Sequence, residues 1–242
     1  LLDGNSPRIE EDKAYVESQK YYLTDNNDCY QFWQKEKLQF NPSNDLRFML
    51  DQEVDLNAIN VIDKTGERQK VIDGIAYSNL KAVVEKLGIT LNTAVQFAWH
   101  KLLSFYSSEQ QTIAGITVSG RELPIEGIET SVGNYINTLP LAINWNKEQS
   151  ISKQLQDIQQ KIAELNHHSY VPLAKLQSND ERLFHSFVVF ENYPIDTDAS
   201  GGTLKFQLHS TSEKSNYPIT ILAYEKQQSL VLRMVYSENL ID

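Results

Sequence analysis

Apolar residues recur at helical spacing most clearly in three stretches of the chain. Residues 78–88 place apolar side chains three and four positions apart, with Ser78 predicted to cap the helix and Gly88 to end it. Residues 90–107 keep this spacing so densely that we expect a largely buried helix. Ser150 opens a third amphipathic helix, which runs into an adjacent pair of histidines. Two shorter helices are predicted at 13–23 and 27–38.

Strand patterns fill most of the remaining chain. Residues 112–118 are an apolar, β-branched run typical of a buried strand, and residues 203–210 alternate as a half-buried strand should. Other predicted strands are 46–56 and 68–77 with a turn at 63–68 between them, 132–145 with an edge or irregularity at Pro140, 184–193, and the hairpin arms 217–225 and 229–236. Mixed helices and strands with a strand-rich end predict an α/β or α+β sandwich built on a mixed sheet.

Composition narrows the class of protein. The chain has 242 residues, 40% of them hydrophobic, and a formal net charge of −10, which argues against a nucleic-acid partner. Cys29 is the only cysteine, so an intrachain disulfide or thiolate zinc cluster is excluded, and a reducing compartment such as the cytoplasm fits. No apolar run has the length of about 18 residues that a membrane span requires, so we expect no membrane partner.

The first residues have the composition of a linker. Residues 1–12 contain Gly, Asn, Ser and Pro followed by charges, and they show neither an initiator methionine nor a signal-peptide layout. We therefore expect a linker at 1–12, a globular unit at 13–242, and a chain cut from something larger.

The histidine pair, His167 and His168, is the first candidate for chemistry, because histidine titrates nearest neutral pH. Adjacent helical residues point about 100° apart, so the two side chains do not easily face one site. A histidine in the last helical turn is also favoured by the helix dipole, and Pro172 follows as a stop signal. We interpret the pair as a helix end.

Other catalytic or metal-binding patterns are absent from the sequence. His185 and His209 have no HExxH spacing or suitably placed carboxylate, so we expect no metal site. The chain lacks the GxSxG nucleophile elbow and the glycine-rich phosphate loops. His100 lies in an apolar helix and is predicted to be a core or rim histidine with a hydrogen-bond partner.

A polar stretch within residues 118–141 stands out against its apolar surroundings. A loop containing Gly, Ser and Arg leads into a predicted strand that carries Asn134, Asn137 and Thr138. Buried polar groups are costly unless they are paired, so these residues mark either a functional surface or an edge strand whose polar face meets water. The pattern leaves both interpretations open.

Three segments resemble motifs of the condensation domains of nonribosomal peptide synthetases. Residues 115–143 match the family's "GR … VGxFxNTxP" pattern, with Tyr135 where Phe is common. Residues 167–177 and 183–194 resemble the next two motifs. Weaker matches in the same order are 14–22, 29–38 and 217–242. The sequence VGNYINTLP at residues 132–140 resembles a condensation domain more than the related epimerization domain.

The resemblance implies a chloramphenicol-acetyltransferase-like fold of two lobes with a tunnel between them. It implies acyl transfer, in which the amine of a carrier-bound aminoacyl group attacks a carrier-bound thioester. The catalytic HHxxxDG is missing here, since Pro172 and Leu173 stand where Asp and Gly belong. The chain therefore resembles the C-terminal lobe, with no catalytic residue of its own, and is expected to be inactive alone.

Further expectations follow from the same resemblance. Five residues are expected to line the tunnel: Ser119, Gly120, Arg121, Asn137 and Thr138. No cofactor is expected to bind directly, because the phosphopantetheine arms belong to partner carrier domains. The expected partners are the N-terminal lobe, the upstream and downstream peptidyl carrier domains and an adjacent adenylation domain. Two alternatives remain: a non-catalytic module that docks carrier proteins, or one lobe of a stand-alone CoA-dependent acyltransferase.

Overall fold

The computed structural model describes residues 12–23, 27–41, 46–50, 54–58, 62, 64–177, 182–191 and 216–241. The helices are α1 (Ala14–Leu23), α2 (Asn27–Lys37), α3 (Gly74–Leu87), α4 (Leu91–Ser107), α5 (Ile151–His167) and α6 (Leu173–Leu176), with 3-10 turns at Leu46–Met49 and Leu56–Ala58. The strands are β1 (Thr65–Ile72), β2 (Gln111–Val118), β3 (Asn137–Asn144), β4 (Ser186–Glu191), β5 (Ile219–Glu225) and β6 (Leu230–Ser237). Among the described residues, no helix is long and apolar enough to cross a membrane.

The described strands form one mixed sheet in the order β1-β6-β5-β4-β2-β3. Strand β4 pairs in parallel with β2 and with β5, and the other pairs are antiparallel. Helices α4 and α5 pack on one face, where Trp99, Ile116, Leu141, Ile158 and Leu165 are among the buried residues. The predicted mixed α/β architecture is confirmed.

Several predicted elements match the structure closely. Ser150 caps α5 by accepting the Lys153 N–H, and Gly88 ends α3 with a φ of 64°. Strand β3 is an edge of the sheet that the described strands form, as Pro140 predicts, and β5 and β6 form the predicted hairpin. The predicted strand at 203–210, the last residues of the motif match at 183–194 and residues 1–11 lie outside the described residues.

Four elements predicted from the sequence differ from the structure in type or in starting residue. A strand is predicted over 46–56, but its described residues include 3-10 turns at Leu46–Met49 and from Leu56; the alternation of Leu46, Phe48 and Leu50 is interrupted by the apolar Met49. Helix α3 begins at Gly74, after Asp73, and the Ser78 hydroxyl lies inside it, donating to Gly74 O at 3.1 Å. Strand β1 starts within the predicted turn, and β3 starts at Asn137 rather than at residue 132.

Candidate functional site

A single arginine organises the segment between β2 and β3, which we call the arginine loop (residues 119–136). The Arg121 guanidinium donates to Ile128 O and, at 3.0 Å, to Ser131 O. The same group lies 4.2 Å from the ring centroid of Tyr135. A planar, permanently charged guanidinium suits this combination of carbonyl bonding and stacking. The arginine loop is therefore folded around the Arg121 guanidinium, which bonds to carbonyl groups of the loop itself.

Gly120 allows the loop to close this tightly. Its φ is 65°, in the left-handed region, and an added Cβ would lie 1.9 Å from Tyr135 O. Only glycine fits that backbone and that approach. The exposed Ser119 makes a weaker local contact, accepting the Arg121 N–H at 3.4 Å.

The far end of the arginine loop is bound to the start of α1. The Asp12 carboxylate accepts Ser131 Oγ–H at 2.7 Å and Val132 N–H at 2.9 Å. These bonds hold the pKa of Asp12 below its ordinary value, and the bond from Ser131 has the largest effect. Ser131 Oγ also lies 2.5 Å from the Tyr135 hydroxyl. Sequence reasoning missed Asp12 and Ser131 because 119 positions separate them.

Tyrosines gather where α1 meets the arginine loop. Tyr15 packs edge-on against Tyr135 with centroids 5.4 Å apart, and Tyr21 packs in the same way against Tyr170 at 5.2 Å. Burial raises the pKa of Tyr170 to about 12, and burial also raises the pKa of Tyr22. These two phenols are therefore neutral hydroxyl groups at physiological pH.

Asn137 lies at the start of β3, directly opposite Val118 at the end of β2. Its side-chain Nδ2 donates to Ser169 O at 2.7 Å and to Val171 O at 2.8 Å. The register Val118↔Asn137 brings Ser119, Gly120 and Arg121 to the same end of the strand pair as Asn137 and Thr138.

Thr138 points to the opposite face of the sheet from Asn137, because side chains alternate along a strand. It pairs with Thr117, whose buried hydroxyl oxygen has no partner among the described residues. The Thr138 N–H donates to Asn137 Oδ1 at 2.8 Å. The five expected tunnel residues thus form one neighbourhood with side chains on both faces of the sheet.

The histidine pair lies at the predicted helix end. His168 follows the last residue of α5; its ring Nδ1 lies 2.8 Å from Glu164 O and its ring stacks on Phe32 at 4.1 Å. The His168 carbonyl accepts the Trp33 Nε1–H at 2.8 Å. His167 is exposed. The contacts of His168 are those of a helix terminus docked on α2.

His100 is a fully buried core histidine with a partner, as predicted. Its Nδ1 lies 2.9 Å from Thr112 Oγ1, which also accepts the Trp145 Nε1–H at 3.0 Å. Burial lowers the pKa of His100 to about 3.

The described part of the chain contains no cluster of side chains suited to bind a metal ion. No three histidine, cysteine, aspartate or glutamate side chains gather there as a metal site. His185 is buried at the start of β4, and His209 lies outside the described residues.

A sequence model of the family described as "Condensation domain" matches residues 1–242. The chain belongs to the condensation domain family. It is 32% identical to N-(5-amino-5-carboxypentanoyl)-L-cysteinyl-D-valine synthase of Amycolatopsis lactamdurans, covering 100% of this chain and 7% of that protein. It is 26% identical to bacitracin synthase 1 of Bacillus licheniformis, covering 100% of this chain and 5% of the relative.

Solved structures show the same fold. The condensation domain of the monacolin K polyketide synthase MokA superposes with a TM-score of 0.74 at 14% identity, covering 99% of this chain and 59% of that one. The cyclization-docking bidomain EpoB from Sorangium cellulosum gives a TM-score of 0.72 at 14% identity, covering 99% of this chain and 50% of that one. This condensation-domain chain thus spans little more than half of those structures and less than a tenth of the curated relatives.

Proposed function

We propose that residues 13–242, preceded by a linker at 1–12, form the C-terminal lobe of a condensation domain that makes an amide bond. The observation that carries the proposal is the family match over the whole chain. The acceptor amine attacks the donor thioester carbonyl, the C–N bond forms, the C–S bond breaks, and the thiol leaves. The base that removes the amine proton belongs to the opposite lobe.

The proposed tunnel wall on this lobe consists of Ser119, Gly120, Arg121, Asn137 and Thr138. Their proximity at one end of the β2–β3 pair supports this assignment. The guanidinium of Arg121 and the amide of Asn137 already bind backbone carbonyls, so they contribute the shape of the wall. His167 and His168 take no part in the reaction, since His168 is held against α2.

The proposed substrates are an acyl or peptidyl donor and an aminoacyl acceptor, each bound to a carrier domain through phosphopantetheine. The N-terminal lobe completes the tunnel, and an adenylation domain lies next in the same cytoplasmic protein. Two observations support this context: the peptide synthases among the relatives, and a solved four-domain nonribosomal peptide synthetase of which this chain covers 18%.

The test uses the complete condensation domain with an upstream and a downstream carrier domain, each loaded with its thioester. Mass spectrometry of the downstream carrier should show the mass of the donor added to the acceptor. Binding of both carriers without transfer would instead support a docking module. Equal transfer from a free CoA thioester in the absence of any upstream carrier would support the stand-alone acyltransferase.

A further inference from the structure

The turn after α5, which we call the α5 turn (residues 168–171), is held by side chains from two other elements. Trp33 of α2 donates its indole N–H to His168 O at 2.8 Å. Asn137 of β3 donates to Ser169 O at 2.7 Å and to Val171 O at 2.8 Å. Three of the four carbonyls of the turn therefore accept bonds from side chains distant in sequence.

The orientation of the Asn137 carboxamide follows from its neighbours. Two carbonyl oxygens can only accept, so the amide nitrogen must face them, and the Thr138 N–H can only donate, so Oδ1 must face it. Both amide hydrogens are then in use. The side chain has no hydrogen left for a substrate.

This contact joins two parts of the candidate site. Asn137 is paired with Val118, one residue before the arginine loop, whereas Tyr170 lies in the middle of the α5 turn. Tyr170 packs edge-on against Tyr21 of α1. Moving the turn would therefore move a neutral phenol relative to the arginine loop.

We propose that Asn137 is a positioning residue whose carboxamide fixes the α5 turn, and with it Tyr170, against the start of β3. This rests on the proposed function, because the positioning matters for amide formation. It assigns Asn137 an action through the backbone of the turn and no contact with the reacting atoms. Misplacement of a site by about an ångström is enough to slow a reaction by about a hundredfold.

The test combines two measurements on the complete condensation domain. Hydrogen exchange of the His168 and Ser169 amides reports on the turn without substrate, since both N–H groups bond back to α5. Single-turnover amide formation between loaded carriers reports on the reaction. For Asn137→Ala we expect exchange to become about tenfold faster, because two hydrogen bonds to the turn are lost. Amide formation should slow about tenfold or more, with the KM for the acceptor little changed.

Two further variants sharpen the result. Asn134→Ala is the matched control, because Asn134 is an exposed asparagine of the adjoining arginine loop, and it should change neither measurement. Asn137→Asp keeps the shape but turns both donors into acceptors at neutral pH. Protonating this carboxyl restores one donor. As the pH falls, amide exchange in the α5 turn of this variant and its rate of amide formation should therefore both approach the wild-type values measured at the same pH.

The outcomes separate cleanly. Slower amide formation in Asn137→Ala with unchanged exchange would mean that the carboxamide acts on substrate directly, and would overturn the proposal. Unchanged rates in both measurements would overturn it as well. If Asn137→Ala does not fold, the pH-dependent recovery of Asn137→Asp decides. Absence of amide formation in the wild type would refute the proposed function. The hydrogen-exchange measurement would still test whether Asn137 fixes the α5 turn.

Discussion

The two ends of the β2–β3 pair both carry polar side chains, and they use them in different ways. At the end marked by Val118 and Asn137, partly exposed donors reach backbone carbonyls of irregular segments. At the end marked by Thr112 and Ile143, the buried side chains of His100 and Thr112 bond to each other and join α4 to the sheet, and half-buried Trp145 donates to the same threonine. The first end shapes loops beside the candidate site, whereas the second holds a neutral histidine in the core.

This difference predicts different responses to substitution. Loss of a donor at the first end frees a loop and should affect the geometry of the site. A change in protonation at the second end should affect the stability of the whole fold, because His100 has no access to water.

The largest effect is expected from Gly120→Ala in the arginine loop. The new Cβ meets Tyr135 O and strains the backbone, so the free energy of unfolding should fall by about 3 kcal/mol or more. Gly127→Ala is the matched control, because Gly127 has a φ of 78° but open space around it. It should cost only about 1 kcal/mol in urea unfolding. Equal losses would show that Tyr135 does not crowd Gly120.

Arg121→Ala should have the next largest effect on the loop. It leaves the carbonyls of Ile128 and Ser131 without their charged donor and should lower the free energy of unfolding by about 2 kcal/mol. Arg121→Lys should recover only part of this, because an ammonium group does not reproduce the flat stacking and paired bonding. Glu122→Ala, at an exposed neighbour, should be neutral in the same urea titration, and a similar loss there would contradict the assignment.

The second end should produce a pH dependence of stability. His100 has its pKa lowered to about 3 in the fold from an unfolded value of 6.5, so below pH 6.5 the unfolded chain takes up a proton that the folded chain does not. The free energy of unfolding should fall as the pH drops, by at most about 1.4 kcal/mol per pH unit from this group. His100→Gln should flatten that slope in urea titrations between neutral pH and pH 5. An unchanged slope would mean that the pKa of His100 is the same in the folded and the unfolded chain.

The smallest effect is expected from replacing both His167 and His168 with Gln. The stacking on Phe32 is lost, which should lower the free energy of unfolding by about 1 kcal/mol. Urea titration measures this loss, and a loss of about 3 kcal/mol or more would contradict the interpretation of the pair as a helix end.

Sequence patterns predicted the features that depend on neighbours along the chain. The end of α5 at the histidine pair and the edge position of Pro140 follow from helix-stop and strand rules. Even so, residues 46–56 were mistaken for a strand, since nearby apolar residues alone do not distinguish a strand from 3-10 turns.

The contacts that build the candidate site were not predictable in this way. Asp12 meets Ser131 across 119 positions, and Asn137 meets Val171 across 34. Such pairs depend on how α1, β3 and the α5 turn pack together, which no local periodicity encodes. Family resemblance selected Asn137 as a tunnel residue, but only the structure shows that its amide hydrogens are already donated.

The most direct test of this account is single-turnover amide formation by the complete condensation domain, comparing Arg121→Ala with the double variant of His167 and His168 to Gln. The account predicts that Arg121→Ala slows transfer by about a hundredfold, because the arginine loop loses its shape. The double histidine variant should stay close to wild type. A rate of amide formation about a hundredfold lower in the histidine variant, with Arg121→Ala unaffected, would contradict the account. It would indicate that the histidines at the end of α5 take part in the reaction.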